Sequence, residues 1–176
     1  QENDWPDIVY SMQHRIGLNC GKMVTGNMGS EMRMNYTMMG DTVNLAARLE
    51  SSAKQYGVYN FVGQNIYEET KDEFIFRFLD FVRVKGKTIP VKVYELVSAK
   101  NNADNHKVNL IKVFEEGLDH YYQQQWDKAL IHFEKAEGME DHFTSRNTTP
   151  SAVYIERCIM FKDNPPGKDW DGVWTM

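Results

Sequence analysis

Asn44 and Arg48 are the residues of this sequence whose types and spacing could do chemistry. They stand four apart in Tyr36-Thr37-Met38-Met39-Gly40-Asp41-Thr42-Val43-Asn44-Leu45-Ala46-Ala47-Arg48-Leu49-Glu50. Side chains four apart on a helix share one face. An amide beside a guanidinium suits an anionic or sugar-phosphate ligand. Arg stays protonated in proteins, and its planar donors match phosphate oxygens. On spacing alone a plainer interpretation competes: an exposed Arg paired with Glu50 or another acid, and an Asn that merely caps. Asp41 invites a metal assignment and can equally cap a helix. His14, His106, His120, His132 and His142 show no metal-ligand spacing. Cys20 and Cys158 lie far apart and read as buried thiols, not nucleophiles, since no paired base is visible.

The pair needs a helix to carry it. Asp41 or Thr42 can cap one that runs to about residue 55, with Gly57 as its stop. Val43, Ala46, Ala47 and Leu49 give it an apolar stripe. Strands are expected at 14–20, 22–29 and 35–40 before it. A short strand at 59–62 and a short helix at 64–70 follow. A terminal hairpin pairs 73–85 with 91–97, turning at 86–90. Met28, Met32, Met34, Met38 and Met39 around the motif read as adaptable core.

Composition changes near residue 98. The chain divides into 1–97, a polar Asn-rich linker or loop at 98–107, and a helical part at 108–176. Helices are expected at 108–123, 126–138 and 151–161, the first two as an antiparallel pair because the connection at Gln124-Gln125 is short. Asn164-Pro165-Pro166 stops the third. The tail, with Trp170 and Trp174, is too aromatic for a free solvated end and is expected to dock.

The 176 residues are 41% hydrophobic and 26% charged, an ordinary globular composition able to bury a core. The net charge of -5 disfavours a general affinity for nucleic acid or anionic membrane. No apolar run approaches the ~18 residues of a membrane span. The cysteine usage fits a reducing, cytoplasmic compartment, with membrane attachment of a longer parent left open. The opening Gln1-Glu2-Asn3-Asp4 reads as if cut from something longer.

The run from Arg15 to Leu96 resembles the C-terminal half of a class III adenylyl/guanylyl cyclase catalytic domain. Four ordered blocks carry the likeness: Arg15-Ile16-Gly17-Leu18-Asn19-Cys20-Gly21; Val24-Thr25-Gly26-Asn27-Met28-Gly29-Ser30; Gly40 through Glu50; and Val84-Lys85-Gly86-Lys87 followed by Pro90-Val91-Lys92-Val93-Tyr94-Glu95-Leu96. The resemblance implies an α+β, ferredoxin-like fold and conversion of ATP to 3′,5′-cyclic AMP and pyrophosphate. It implies that Asn44 orients the ribose and that Arg48 stabilises charge on the α-phosphate. Thr37 would stand where adenylyl cyclases read the adenine edge. Lys85, or Lys87 beside it, would contact the β- and γ-phosphates.

The resemblance also implies two Mg²⁺ or Mn²⁺ ions held by two aspartates in an FxDxxGFT-type strand and a GDxxM-type hairpin. Neither motif is in this sequence; Asp7-Ile8 is superficially similar but lacks the Gly-Phe-Thr. The chain alone is therefore expected not to cyclise ATP. Active sites in the family form across a dimer interface, with Asn and Arg from one protomer and aspartates from the other, so a second cyclase domain is the expected partner. The alternatives are a non-catalytic cyclase-like dimerisation module and a guanylyl cyclase.

Residues 108–162 resemble a tetratricopeptide-type helix pair, through Gly117, Tyr121, Trp126-Asp127-Lys128-Ala129 and Phe133-Glu134-Lys135-Ala136. One repeat cannot make a solenoid, which needs about three. Packing of the pair against the first half is expected ahead of a regulatory contact or a peptide groove.

Overall fold

The computed structural model describes residues 5–10, 12–83, 89–142 and 146–175. Its elements follow the order α1 (Asp7–Tyr10), β1 (Ile16–Leu18), β2 (Val24–Ser30), β3 (Arg33–Met39), α2 (Asp41–Tyr56), β4 (Asn60–Gly63), α3 (Gln64–Thr70), β5 (Phe74–Arg83) and β6 (Val91–Ala99). A 3-10 turn at Lys100–Asn102 leads to α4 (Asn105–Tyr122), α5 (Trp126–Glu137), α6 (Pro150–Asp163) and β7 (Trp174–Thr175). The α+β expectation holds. A five-stranded mixed sheet has the order β1-β4-β6-β5-β7, and β2 and β3 form a separate antiparallel ribbon. The β1–β4 and β5–β7 pairs are parallel; β4–β6 and β5–β6 are antiparallel. Among the described residues no helix is long and apolar enough to cross a membrane.

Local chemistry sets the boundaries. Asp41 and Thr42 do not cap α2: its N-cap is Gly40, without a side-chain cap, and Asp41 is the first helical residue. There its carboxylate meets the positive end of the helix dipole. Gly57 ends α2 in the left-handed conformation at φ 62°. The polar stretch after the sheet is largely ordered, since β6 runs to Ala99 and Asp104 caps α4 by accepting from the His106 N–H. Thr149 caps α6 ahead of Pro150 in the same way.

Two apolar clusters build the interior. Leu49, Ala53 and Tyr56 of α2 pack on Phe61, Leu79, Val82 and Val93 of the sheet. Phe114, Tyr121, Phe133 and Tyr154 centre the second cluster among α4, α5 and α6. The clusters meet where Val153 of α6 touches the first and Phe78 of β5 touches the second.

At that seam β5 is bulged. Its register against β6 passes from Phe78↔Tyr94 to Asp80↔Val93, so Leu79 is the extra residue. A regular strand would turn Leu79 and Asp80 to opposite faces, whereas here both are 0% exposed. A buried carboxylate must be matched, and this one is. Asp80 accepts from Arg157 Nη1 at 2.6 Å, from the Tyr56 hydroxyl at 2.6 Å and from the Phe81 N–H at 2.8 Å. Arg157 also donates to the Tyr56 hydroxyl at 3.1 Å. Burial, then the Asp80 charge, pushes the Tyr56 hydroxyl well above its usual pKa, so it stays a donor.

A second buried group ties the same layers. Arg77 of β5 meets Glu95 and Glu140, each at 2.6 Å, and Arg146 reaches Glu140 at 3.2 Å. Burial pushes the Glu140 carboxyl up, but Arg77, Arg146 and the Ser151 hydroxyl outweigh it and hold the group below its usual range.

Removing one partner of a buried pair leaves an uncompensated charge. Arg157→Ala should therefore lower the unfolding free energy by about 3–5 kcal/mol, read by urea denaturation. A depressed folded pKa contributes stability above the unfolded value, about 4.3 for Glu, and that stability is lost as pH falls through the folded one. The urea midpoint should thus fall on acidification from about pH 6 to about pH 3, with a shallower fall in Glu140→Gln.

Candidate functional site

Asn44 and Arg48 lie in the first turns of α2 and both are exposed, while Leu49, Ala53 and Tyr56 on the other side of the helix are buried. Asn44 is not a cap: its N–H donates to the Gly40 carbonyl at 3.1 Å, four residues inside the helix. Glu50, the acid that the sequence offers to Arg48, meets Arg15 at 3.6 Å. Asn44 and Arg48 share one exposed face of the helix.

The strands on either side fix that face. A Cβ on Gly17 of β1 would overlap the Ala46 carbonyl and stand 2.5 Å from the Glu50 nitrogen, so only glycine lets β1 lie this close to α2. Asn19 holds the first turn by donating from Nδ2 to the Thr42 carbonyl at 3.2 Å. Neither role was legible beforehand, because both need the β1–α2 crossing. Thr37 sits on β3, opposite Gly26, three residues before the helix N-cap. It is exposed. Lys85 and Lys87 lie outside the described residues.

The methionines around the motif are not core. Met34, Met38 and Met39 are more than half exposed, Met32 is 97% exposed, and Tyr36 is 74% exposed. The reason is geometric: among the described residues β2 and β3 pair only with each other, outside the five-stranded sheet, and only Met28 of the five is half-buried. Exposed apolar surface of this kind marks an interaction site.

The donor set does not fit a divalent-metal clamp. Among the described residues no group of three His, Cys, Asp or Glu side chains could hold a metal ion. The His120 and His132 rings, on α4 and α5, do come within 5.3 Å, which their separation in sequence hid. Cys20 is half-buried, less than expected, and burial with the Glu69 charge raises its thiol pKa; burial pushes Cys158 up to about 12. Both thiols are thus poor nucleophiles at neutral pH. A cavity of about 180 Å³ lies away from Asn44 and Arg48, between the sheet and α4. Four of its charged walls, Arg77, Glu95, Glu140 and Arg146, are the network already paired to itself, and Lys107 and Asp141 at its mouth pair with each other at 3.8 Å.

Comparison with known proteins shows the family. Residues 6–98 match the family described as Adenylate and Guanylate cyclase catalytic domain. The terminal-differentiation-specific adenylate cyclase of Dictyostelium discoideum is 33% identical over 154 residues, covering 85% of this chain and 7% of that protein. Adenylate cyclase 1 of Rhizobium meliloti is 39% identical over 83 residues, covering 47% of this chain and 12% of its own. The chain thus spans a small part of the length of these relatives. Among solved structures, the adenylyl cyclase CyaB from P. aeruginosa is 33% identical with a TM-score of 0.44, covering 51% of this chain and 45% of that one.

Because Asn44 and Arg48 point outward, Asn44→Ala and Arg48→Ala should each change stability by no more than about 0.5 kcal/mol, read by thermal and urea unfolding.

Proposed function

The chain belongs to the adenylate and guanylate cyclase catalytic domain family through residues 6–98, and from that premise we propose that it supplies the Asn–Arg wall of an ATP-cyclising site. The observation that carries the proposal is the shared exposed face of Asn44 and Arg48 at the start of α2. In the reaction the ribose 3′-hydroxyl gives up its proton to water, its oxygen bonds to the α-phosphorus, the bond from that phosphorus to the oxygen bridging it to the β-phosphorus breaks, and pyrophosphate leaves. Asn44 orients the ribose. Arg48 stabilises the charge that builds on the α-phosphate, a preorganised electrostatic contribution of the kind that usually dominates catalysis. Thr37 faces the adenine edge, where its hydroxyl donates or accepts and so specifies less than a carboxylate would. Lys85, or Lys87, binds the β- and γ-phosphates.

The site is completed by a second cyclase domain, in a homodimer or from other sequence, that brings the aspartates for two Mg²⁺ or Mn²⁺ ions. Support for a shared site comes from the exposed Met and Tyr ribbon of β2 and β3, which runs directly into the helix of Asn44. A two-stranded ribbon is at best marginally stable by itself and gains from such a partner. In this account the chain alone is inactive, the setting is cytoplasmic, and residues 1–97 work as the cyclase part. Beyond the connection at 98–107, residues 108–176 carry a tetratricopeptide-like helix pair whose first role is to brace the cyclase part, ahead of a regulatory contact or a peptide groove. The same exposed ribbon also favours a second reading, a non-catalytic dimerisation module.

With the aspartate-bearing half supplied, as preceding sequence or in trans, ATP with Mg²⁺ or Mn²⁺ should yield cyclic AMP, and more readily than GTP yields cyclic GMP. Arg48→Ala should then lose about 10²–10³ in rate, by analogy with loss of an oxyanion-hole donor. A complete protein inert with both nucleotides and both metals would leave the dimerisation reading in place.

A further inference from the structure

We propose that Asn19 is a positioning residue for the cyclisation: through the first turn of α2 it sets the pose in which Arg48 meets the α-phosphate. The proposal rests on the role given to Arg48 above.

The start of α2 has little fastening of its own. Its N-cap is Gly40, with no side-chain cap. It is entered from β3, which among the described residues pairs only with β2. A two-stranded ribbon is a weak support. The fully buried residues of the helix, Leu49, Ala53 and Tyr56, all come after Arg48. Ahead of Arg48 only Leu45 joins that cluster, and it is half-buried. Apolar packing therefore grips α2 behind the working pair, and something else must hold the turn in front of it.

The segment that follows β1 supplies that hold. Asn19 is half-buried, and its side-chain amide is wedged between two elements. On one side Oδ1 lies over Gly63, the last residue of β4, so closely that a Cβ there would stand 2.7 Å away. On the other side Nδ2 donates to the Thr42 carbonyl at 3.2 Å. Thr42 is the second residue of α2. In an α-helix its carbonyl also accepts from the N–H four residues on, at Ala46. The rung that Asn19 grips thus encloses Asn44, and Arg48 lies two residues past it. The next residue is fixed from the far side, where Asn65 of α3 donates from Nδ2 to the Cys20 carbonyl at 3.1 Å. Residues 19 and 20 form a clasp between α3 and α2, and Asn19 is its α2 end. A group that stabilises a transition state is sensitive to this, since a misplacement of about 1 Å can cost about 10² in rate.

The test uses the catalytically complete protein with Asn19→Ala, Asn19→Asp, Arg48→Ala, and Asn19→Ala combined with Arg48→Ala. Asn19→Asp keeps the shape of the side chain and removes the donor. It also covers the case in which the truncation fails to fold. ATP KM and kcat are measured, with amide exchange over Asn44–Leu49 followed in the same proteins. Each Asn19 variant should lower kcat by about 10–10²-fold with KM within about twofold. Exchange over Asn44–Leu49 should quicken in both. On top of Arg48→Ala, Asn19→Ala should cost less than about twofold more, because residues that act as a unit are not additive. A kcat within about twofold of the parent in Asn19→Asp, or a loss that multiplies in full onto Arg48→Ala, would overturn the proposal. So would unchanged exchange in both Asn19 variants while Arg48→Ala is impaired, which removes the clasp and leaves the site. Full activity in Arg48→Ala would instead sink the site assignment and the catalytic role of Asn19 with it, and exchange would then report only whether the clasp holds the turn.

Discussion

A carboxylate buried by a strand bulge sets the terms for the rest of this molecule. Leu79 is the extra residue in β5, and it turns Asp80 into the interior. Water cannot then solvate the charge, so the chain must bring donors to it. They come from α2 as Tyr56 and from α6 as Arg157. That requirement fixes one of the points at which the helical part docks on the sheet, alongside the Arg77–Glu140 pair. A buried ion pair adds little net stability over a well-packed apolar seam of the same volume. What Asp80 and Arg157 contribute is the choice of which surfaces meet.

The consequence for function runs through α2. Its last residue, Tyr56, is fixed by the buried network, and the following Gly57 carbonyl accepts from Arg146 at 2.8 Å. Its middle is pressed against β1 at Gly17, and its first turn is held by Asn19. A helix fixed at three levels can hold Asn44 and Arg48 in a set geometry without either side chain being buried. That suits groups which act on a ligand entering from outside α2. The ribbon of β2 and β3 is the opposite case, with apolar side chains that stand exposed among the described residues. The molecule thus joins a rigid wall to an uncovered sticky flank, the combination expected of one side of a shared site.

Much of this was legible in the sequence. Helix α2, α3, the β5–β6 hairpin and the three later helices announce themselves by period and by their stops, and the aromatic tail does dock. Asn44 and Arg48 were visible as a spaced pair, and family resemblance raised them above an ordinary surface pair. What period could not show is anything made by a crossing. The bulge at Leu79 breaks the alternation that strand reading relies on. Cap assignment failed at Asp41 because the backbone at Gly40 begins the helix one residue earlier. The methionines were assigned to a core because residue type alone does not reveal a ribbon without a covering layer. The partners Arg77–Glu140 and Asp80–Arg157 are separated by 63 and 77 residues, beyond any local pattern.

The central claim is that Asn44 and Arg48 act across an interface on a nucleotide held by another domain's aspartates. Mixing tests it most directly. One complete protein carries Arg48→Ala, the other lacks the aspartates, and neither makes cyclic AMP alone. If the site is shared, mixing the two restores cyclic AMP synthesis through the mixed dimers. If the mixture stays as inactive as its components while the two chains are shown to associate, the wall formed by α2 does not serve a shared site, and the account fails.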